Sequence, residues 1–231
     1  HPSILPKYRG PSPIFGSLYN GDKFTGVTLM KINEKIDHGP ILDKIYINII
    51  STDDLISLTN KLSLLSINLF INNIDYLLGS KKYIVSLQDT KKEMISYTRK
   101  INKKDGYIDF NLSYINIIGK IKACIDWPGS FFYYNNKIIK IKSCSIEINN
   151  KIINEDKLKL KGGQFIGLYK NNNFTIQLKE GHKLLIKELQ LPGKKWLPAK
   201  NFLNGFKIEK GIIFNSIKES PIISKIPFEK K

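Results

Sequence analysis

The chain has 231 residues, 42% hydrophobic and 25% charged, with 37 basic against 20 acidic side chains and a formal charge of +17. Apolar residues run along the whole length, which excludes intrinsic disorder and leaves room for one or two domains with a sizeable core. Two cysteines (Cys124, Cys144) exclude a disulfide scaffold and suit a reduced, cytoplasmic setting; three histidines without ligand spacing exclude a zinc site.

The opening His1-Pro2 carries no basic-then-apolar leader and reads as part of a longer protein. Four prolines and a glycine in residues 1–14 make a rigid loop rather than a core segment. Pro13 suits the first turn of a short helix that ends near Asn20-Gly21. Thr25–Lys31 alternates like a strand and Lys44–Ile50 is rich in isoleucine, with a loop over Asn33–Leu42 between them. Ser51-Thr-Asp-Asp54 is a helix-start signal. Leu55, Leu58, Leu62, Leu65 and Leu69 then form one apolar helical stripe, expected to pack on a sheet, and Gly79 closes the helix. The richest apolar stretch, Leu55–Leu78, is broken by polar residues, so no membrane span is expected.

Residues 81–104 are polar and lysine-rich. They read as a basic linker between a first domain over 1–80 and a second over 105–215, with 216–231 as a tail. In the second domain Leu112–Ala123 is expected to be a helix. Short strands follow at Phe131–Tyr134, Ile138–Ile148, Gln164–Tyr169, Phe174–Leu178 and Leu184–Leu191. Asparagine- and glycine-rich turns separate them, a pattern of small barrels and sandwiches.

Charge is uneven. Residues 1–100 hold 13 basic and 9 acidic side chains, and residues 101–231 hold 24 and 11. A basic C-terminal portion suits a polyanion such as nucleic acid. A general enrichment in Lys, Ile and Asn accounts for the same lysines as solvated surface, and charge alone leaves both readings open. A rigid loop carrying His, Ser, Tyr and Arg is a common host for catalysis. Asp37 is the candidate partner of His1, because a carboxylate beside an imidazole orients it and favours its charged form. The plainer reading of Asp37 by itself is a turn residue before Gly39-Pro40.

The run HPSILPKYRGPSPI followed by GDKFTGVTLMKINEKIDHGPIL resembles the second half of a folate-dependent formyltransferase domain. Further on, KACIDWPGSFFYYNNKIIKI and LQLPGKKWLPAKNFLNG resemble the C-terminal domain of the methionyl-tRNA formyltransferases. The resemblance implies an α/β fold: the C-terminal half of a Rossmann-like formyltransferase domain, then a small OB-like β-barrel that grips tRNA. By position, His1 matches the family's catalytic histidine and Asp37 its supporting aspartate. Ser3, Ile4, Leu5 and Pro6 match the folate-contacting segment, with Ile4 where leucine is usual. A third catalytic residue, an asparagine two positions before the histidine, would precede residue 1. This stretch by itself is therefore expected to lack turnover.

The implied reaction moves a formyl group from 10-formyltetrahydrofolate to the α-amine of methionyl initiator tRNA. The neutral amine attacks the formyl carbon, and His1 helps to stabilise the tetrahedral oxyanion. No metal and no covalent enzyme intermediate are implied, and the family suggests a monomer. The expected phosphate contacts are Lys194 and Lys195, then Lys91, Lys92, Arg99, Lys100, Lys103 and Lys104. Trp127 is expected to pack its domain rather than to stack on bases. The alternatives are a sugar-nucleotide N-formyltransferase and a non-catalytic RNA-binding relict of the fold.

Overall fold

A computed structural model describes residues 1–82, 84–89, 91–149, 162–217 and 219–228. They form two compact units: His1–Asn102 with the segment that begins at Ser220, and Lys103–Glu219.

In the first unit, α1 (Pro13–Tyr19) starts on Pro13, buries Phe15 and Leu18, and ends at Asn20, followed by Gly21 with φ 68°. Strands β1 (Phe24–Met30) and β2 (Ile41–Asn48) pair antiparallel from Phe24↔Asn48 to Met30↔Ile41. A parallel crossover takes a dozen or more residues and usually a helix, whereas residues 31–40 allow only a hairpin return. The Asp37 loop is the tip of that hairpin.

Helix α2 (Leu55–Asn72) begins with a reciprocal cap: Asp54 accepts from Ser57 N (2.8 Å) and Ser57 Oγ accepts from Asp54 N (3.0 Å). Its buried Leu58, Leu62 and Leu69 lie on the face that packs across β1 and β2, as the stripe predicts. By length and composition alone α2 could cross a membrane, which the sequence reading did not anticipate. On its other face Ile56, Leu64, Ile67, Phe70 and Ile71 are more than half exposed. A short α3 (Ile74–Leu77) follows, before Gly79.

The described residues of the expected linker up to Asn102 belong to this unit, and Lys103 and Lys104 to the second. In the first unit β3 (Tyr97–Thr98) pairs antiparallel with β10 (Ile223–Ser224), so a strand of the expected tail is paired too. Ser86 bridges Ile41, and Ser96 Oγ accepts from Tyr8 N (2.9 Å). Ser96 and Thr98, polar residues that composition reads as solvated, serve backbone groups of the proline-rich loop, Thr98 Oγ1 accepting from Ser12 N (3.1 Å).

In the second unit, α4 (Tyr114–Ala123) is capped by Ser113, which accepts from Asn116 N. Strands β4 (Ser130–Tyr134), β5 (Lys137–Glu147), β6 (Gln164–Tyr169), β7 (Asn173–Gln177) and β8 (Lys183–Gln190) form one antiparallel sheet ordered β4-β5-β8-β7-β6. The short β9 (Leu197–Pro198), leading into α5 (Ala199–Gly205), pairs with β8. The path is open: among the described residues no β4–β6 pairing closes it into a barrel. Phe132, Ile139, Phe174, Ile176, Leu184 and Ile186 fill the core. Trp127, expected inside, is 53% exposed. It sits in the turn after α4, and the phenylalanines of the sheet already occupy the interior.

Candidate active site

His1 is anchored along β1: its backbone N donates to Thr28 O and Thr28 N donates back to His1 O, both at 2.9 Å. The ring lies between two acceptors, with Nε2 3.0 Å from Tyr8 O and Nδ1 3.5 Å from Asp37 Oδ1. Imidazolium is the form that answers both, since each nitrogen then carries a proton. The two side chains are 8% and 17% exposed, so the pair is largely shielded from water.

Asp37 occupies the left-handed region at φ 56°, which Asp and Asn tolerate better than most residues. Its Oδ2 accepts from Gly10 N (2.7 Å), so one carboxylate ties the proline-rich loop to the hairpin tip and faces the imidazole. Gly39 lets the tip close, because a Cβ there would lie 1.6 Å from Lys31 O.

The tip is held from behind by residues that sequence reasoning did not assign. Gln88, 8% exposed, donates from Nε2 to Asp37 O (2.8 Å) and Gly39 O (2.9 Å). Its Oε1 accepts from Arg9 Nε (3.2 Å) and Nη2 (2.7 Å). Arg9 Nη1 reaches His38 Nε2 (3.0 Å) and Tyr97 OH (3.1 Å), and the guanidinium lies 5.7 Å from the Tyr97 ring centre. Burial, then the Arg9 and Lys35 cations, lower the His38 pKa, so the neutral ring accepts from Arg9. The Arg9-Gly10 pair was legible as part of a motif. Gln88, 79 residues from Arg9, gave no local signal.

The segment Ser3–Pro6 divides. Ser3 is fully buried and its Oγ donates to Lys7 O (2.6 Å), while its carbonyl accepts from Thr28 Oγ1 (2.7 Å); both groups are structural. Ile4, Leu5 and Pro6 line a cleft of about 430 Å³ with Tyr8, Phe24 and Tyr46. His1 and Asp37 do not line it, and Tyr8 joins the two places. Its carbonyl meets His1, and its hydroxyl donates to Asp22 Oδ2 (2.7 Å). Burial, then the Asp22 carboxylate, push the phenol pKa upward. Tyr8 has φ 59°, a strained backbone for a bulky residue. Lys44 Nζ donates to Leu5 O (2.6 Å), and burial lowers its pKa.

Of the expected phosphate contacts, Lys194 and Lys195 are exposed in the β8–β9 loop. Lys91, Lys92, Lys100, Lys103 and Lys104 are also exposed. Arg99 is committed elsewhere: its guanidinium donates to the carbonyls of Pro221, Ser220 and Lys100 and so tethers the strand containing Ile223. Among the described residues no group of three His, Cys, Asp or Glu side chains could hold a metal ion.

Residues 1–74 match the formyl transferase family and residues 100–207 match the formyl transferase C-terminal domain. The methionyl-tRNA formyltransferase of Caldicellulosiruptor saccharolyticus is 34% identical over 215 residues, covering 93% of this chain and 65% of that protein. That of Wigglesworthia glossinidia brevipalpis is 38% identical over 196 residues, 84% of this chain and 58% of that protein. The chain thus spans less than two thirds of the length of these relatives. Among solved structures, WlaRD, a sugar 3N-formyl transferase crystallised with dTDP and 5-N-formyl-THF, aligns with TM-score 0.61 at 25% identity, over 84% of this chain and 65% of that one. HypX from Aquifex aeolicus with tetrahydrofolic acid aligns with TM-score 0.59 at 16% identity, over 97% and 38%, a likeness of fold. With one formyl transferase domain matched before residue 75 and the other from residue 100 onward, the chain belongs to the formyl transferase family.

Proposed function

We propose that the protein transfers the formyl group of 10-formyltetrahydrofolate to the α-amine of methionyl initiator tRNA, as a cytoplasmic monomer serving translation initiation. The observation that carries this reading is the 34–38% identity to curated methionyl-tRNA formyltransferases over most of the chain, against 25% to the sugar enzyme. Two structures bound to folates, one with 5-N-formyl-THF and one with tetrahydrofolic acid, share the fold and support a folate donor.

In this reaction a C–N bond forms between the amine and the formyl carbon, the bond from that carbon to N10 breaks, and the surplus amine proton ends on N10. The His1 Nε2–H, held by the neutral Tyr8 carbonyl, is the donor that can exchange that partner for the developing oxyanion. Such a donor contributes about 3–4 kcal/mol. Asp37 keeps the ring oriented and charged, and serves the departing amine proton through water. The apolar and aromatic wall that includes Ile4, Leu5 and Pro6 suits a planar folate ring, with Ser3 fixing the loop that carries it. The second unit acts as an OB-like tRNA-binding domain, a role its short antiparallel strands and basic surface support. There Lys194, Lys195, Lys103 and Lys104 contact phosphates, as does Lys100 of the first unit.

The test is formyl transfer by the full-length protein, with methionyl-tRNA and a dTDP-amino sugar offered separately with 10-formyltetrahydrofolate. Product on the tRNA and none on the sugar nucleotide is expected. Transfer to the sugar nucleotide alone overturns the reading, and transfer to neither returns the non-catalytic alternative.

A further inference from the structure

The second unit carries a cleft of about 680 Å³ that the proposed chemistry does not use. Tyr133 and Tyr134 line it together with Asn135, Asn136 and Asn215, and no charged side chain does. Asn135 and Asn136 form the exposed β4–β5 turn at φ 48° and 59°. Within the described residues the side-chain amides of these three asparagines make no hydrogen bond, nor do the two tyrosine hydroxyls. The Tyr133 ring is braced by Tyr107, 5.8 Å between centres, and by the edge of Phe131 at 5.5 Å.

Such a cleft offers no counter-charge to an ion. It offers flat aromatic faces beside amides that donate and accept, which complement a planar, neutral group with a hydrogen-bonding edge. The surrounding chain is basic, with 24 cationic against 11 anionic residues beyond position 100, so a neutral ring carried on a polyanion fits best. We propose that this cleft receives an unpaired base of the RNA substrate, stacked on Tyr133 and contacted along its edge by Asn135 and Asn136. The inference rests on the tRNA reading given above and adds a base contact to it.

The turn supplies a clean perturbation. Glycine adopts positive φ readily and suits a two-residue hairpin turn, so Asn135→Gly with Asn136→Gly removes both amides and keeps the backbone. In the full-length protein the pair should weaken binding of methionyl-tRNA about tenfold, as should Tyr133→Leu. The salt dependence of binding should stay as in wild type, since no phosphate contact is lost. Affinity within twofold of wild type, with the melting temperature retained, overturns the base contact and leaves the tRNA reading standing. So does a flattened salt slope, which assigns the cleft to phosphates, or a loss confined to added mono- or oligosaccharide. A wild-type protein without tRNA affinity overturns both together.

Discussion

Replacing Asp37 by asparagine separates the charge of this side chain from its structural duties. The substituted amide oxygen can still accept from Gly10 N, now 2.7 Å from Oδ2, and asparagine tolerates the φ of 56°. What disappears is the negative charge 3.5 Å from His1 Nδ1. At that separation and an effective dielectric of about 20, two unit charges attract by about 4–5 kcal/mol. Partial exposure of Asp37 screens part of this, so about 2–3 kcal/mol should be missing from the transition state, or about 10²-fold in kcat. The amide NH₂ also faces a ring nitrogen that must then accept, which favours the neutral tautomer and deprives the oxyanion of a cationic donor. Single-turnover formyl transfer at saturating methionyl-tRNA measures the effect, with thermal melting as the control. The expected result is the large fall in turnover, unchanged tRNA affinity and a nearly unchanged melting temperature. Turnover within about threefold of wild type would refute the assignment and return Asp37 to a turn residue. Asp37→Ala should differ by losing stability as well, since it removes the Gly10 bond and strains the tip.

Three further outcomes are expected. Asp53, with its side chain 2% exposed, accepts from Ile50 N, Ser57 Oγ and Lys61 Nζ; burial alone would raise its pKa, but these donors together lower it below the ordinary 3.8. Its stabilisation is present above that value and fades as pH falls through the lower folded value, so Asp53→Asn should cost about 1–3 kcal/mol in urea melts at pH 7, with the gap narrowing below about pH 4. Lys120, 1% exposed, donates to both Glu219 oxygens at 2.8 and 2.7 Å; Lys120→Met should destabilise by about 2–4 kcal/mol, and adding Glu219→Gln should recover much of it, a cycle that fails if the losses simply add. Lys194→Ala with Lys195→Ala should reduce the log–log salt slope of tRNA binding by roughly 0.7–0.9 per true contact while kcat at saturating tRNA holds; an unchanged slope would make both lysines solvated surface.

Local rules made much of the fold legible. The Leu55 to Leu69 spacing and the Asp54 start signal placed α2 within a residue of its observed start, because helix periodicity and capping involve neighbours three and four apart. The five strand runs of the second unit likewise fell within two residues of β4 to β8, since alternation and turn residues are local. The direction of β2 against β1 was legible too, in a connection too short for a crossover. The pairing of His1 with Asp37 was not settled by the residues themselves. A lone histidine and a turn aspartate left two readings open, and resemblance rather than periodicity chose between them.

Tertiary structure decided what distance along the chain hides. Gln88 looks like any polar residue of a lysine-rich stretch until Arg9 and the carbonyls of Asp37 and Gly39 converge on it. Arg99 reads as a phosphate ligand until the carbonyls of Ser220 and Pro221 accept its hydrogen bonds. Trp127 reads as a residue that packs its domain and is 53% exposed. In each case the sequence determined the donor, acceptor or apolar surface a side chain could offer. Which partner would meet it was set by backbone groups brought from tens of residues away, since a buried amide or carbonyl takes whatever polar side chain the fold delivers.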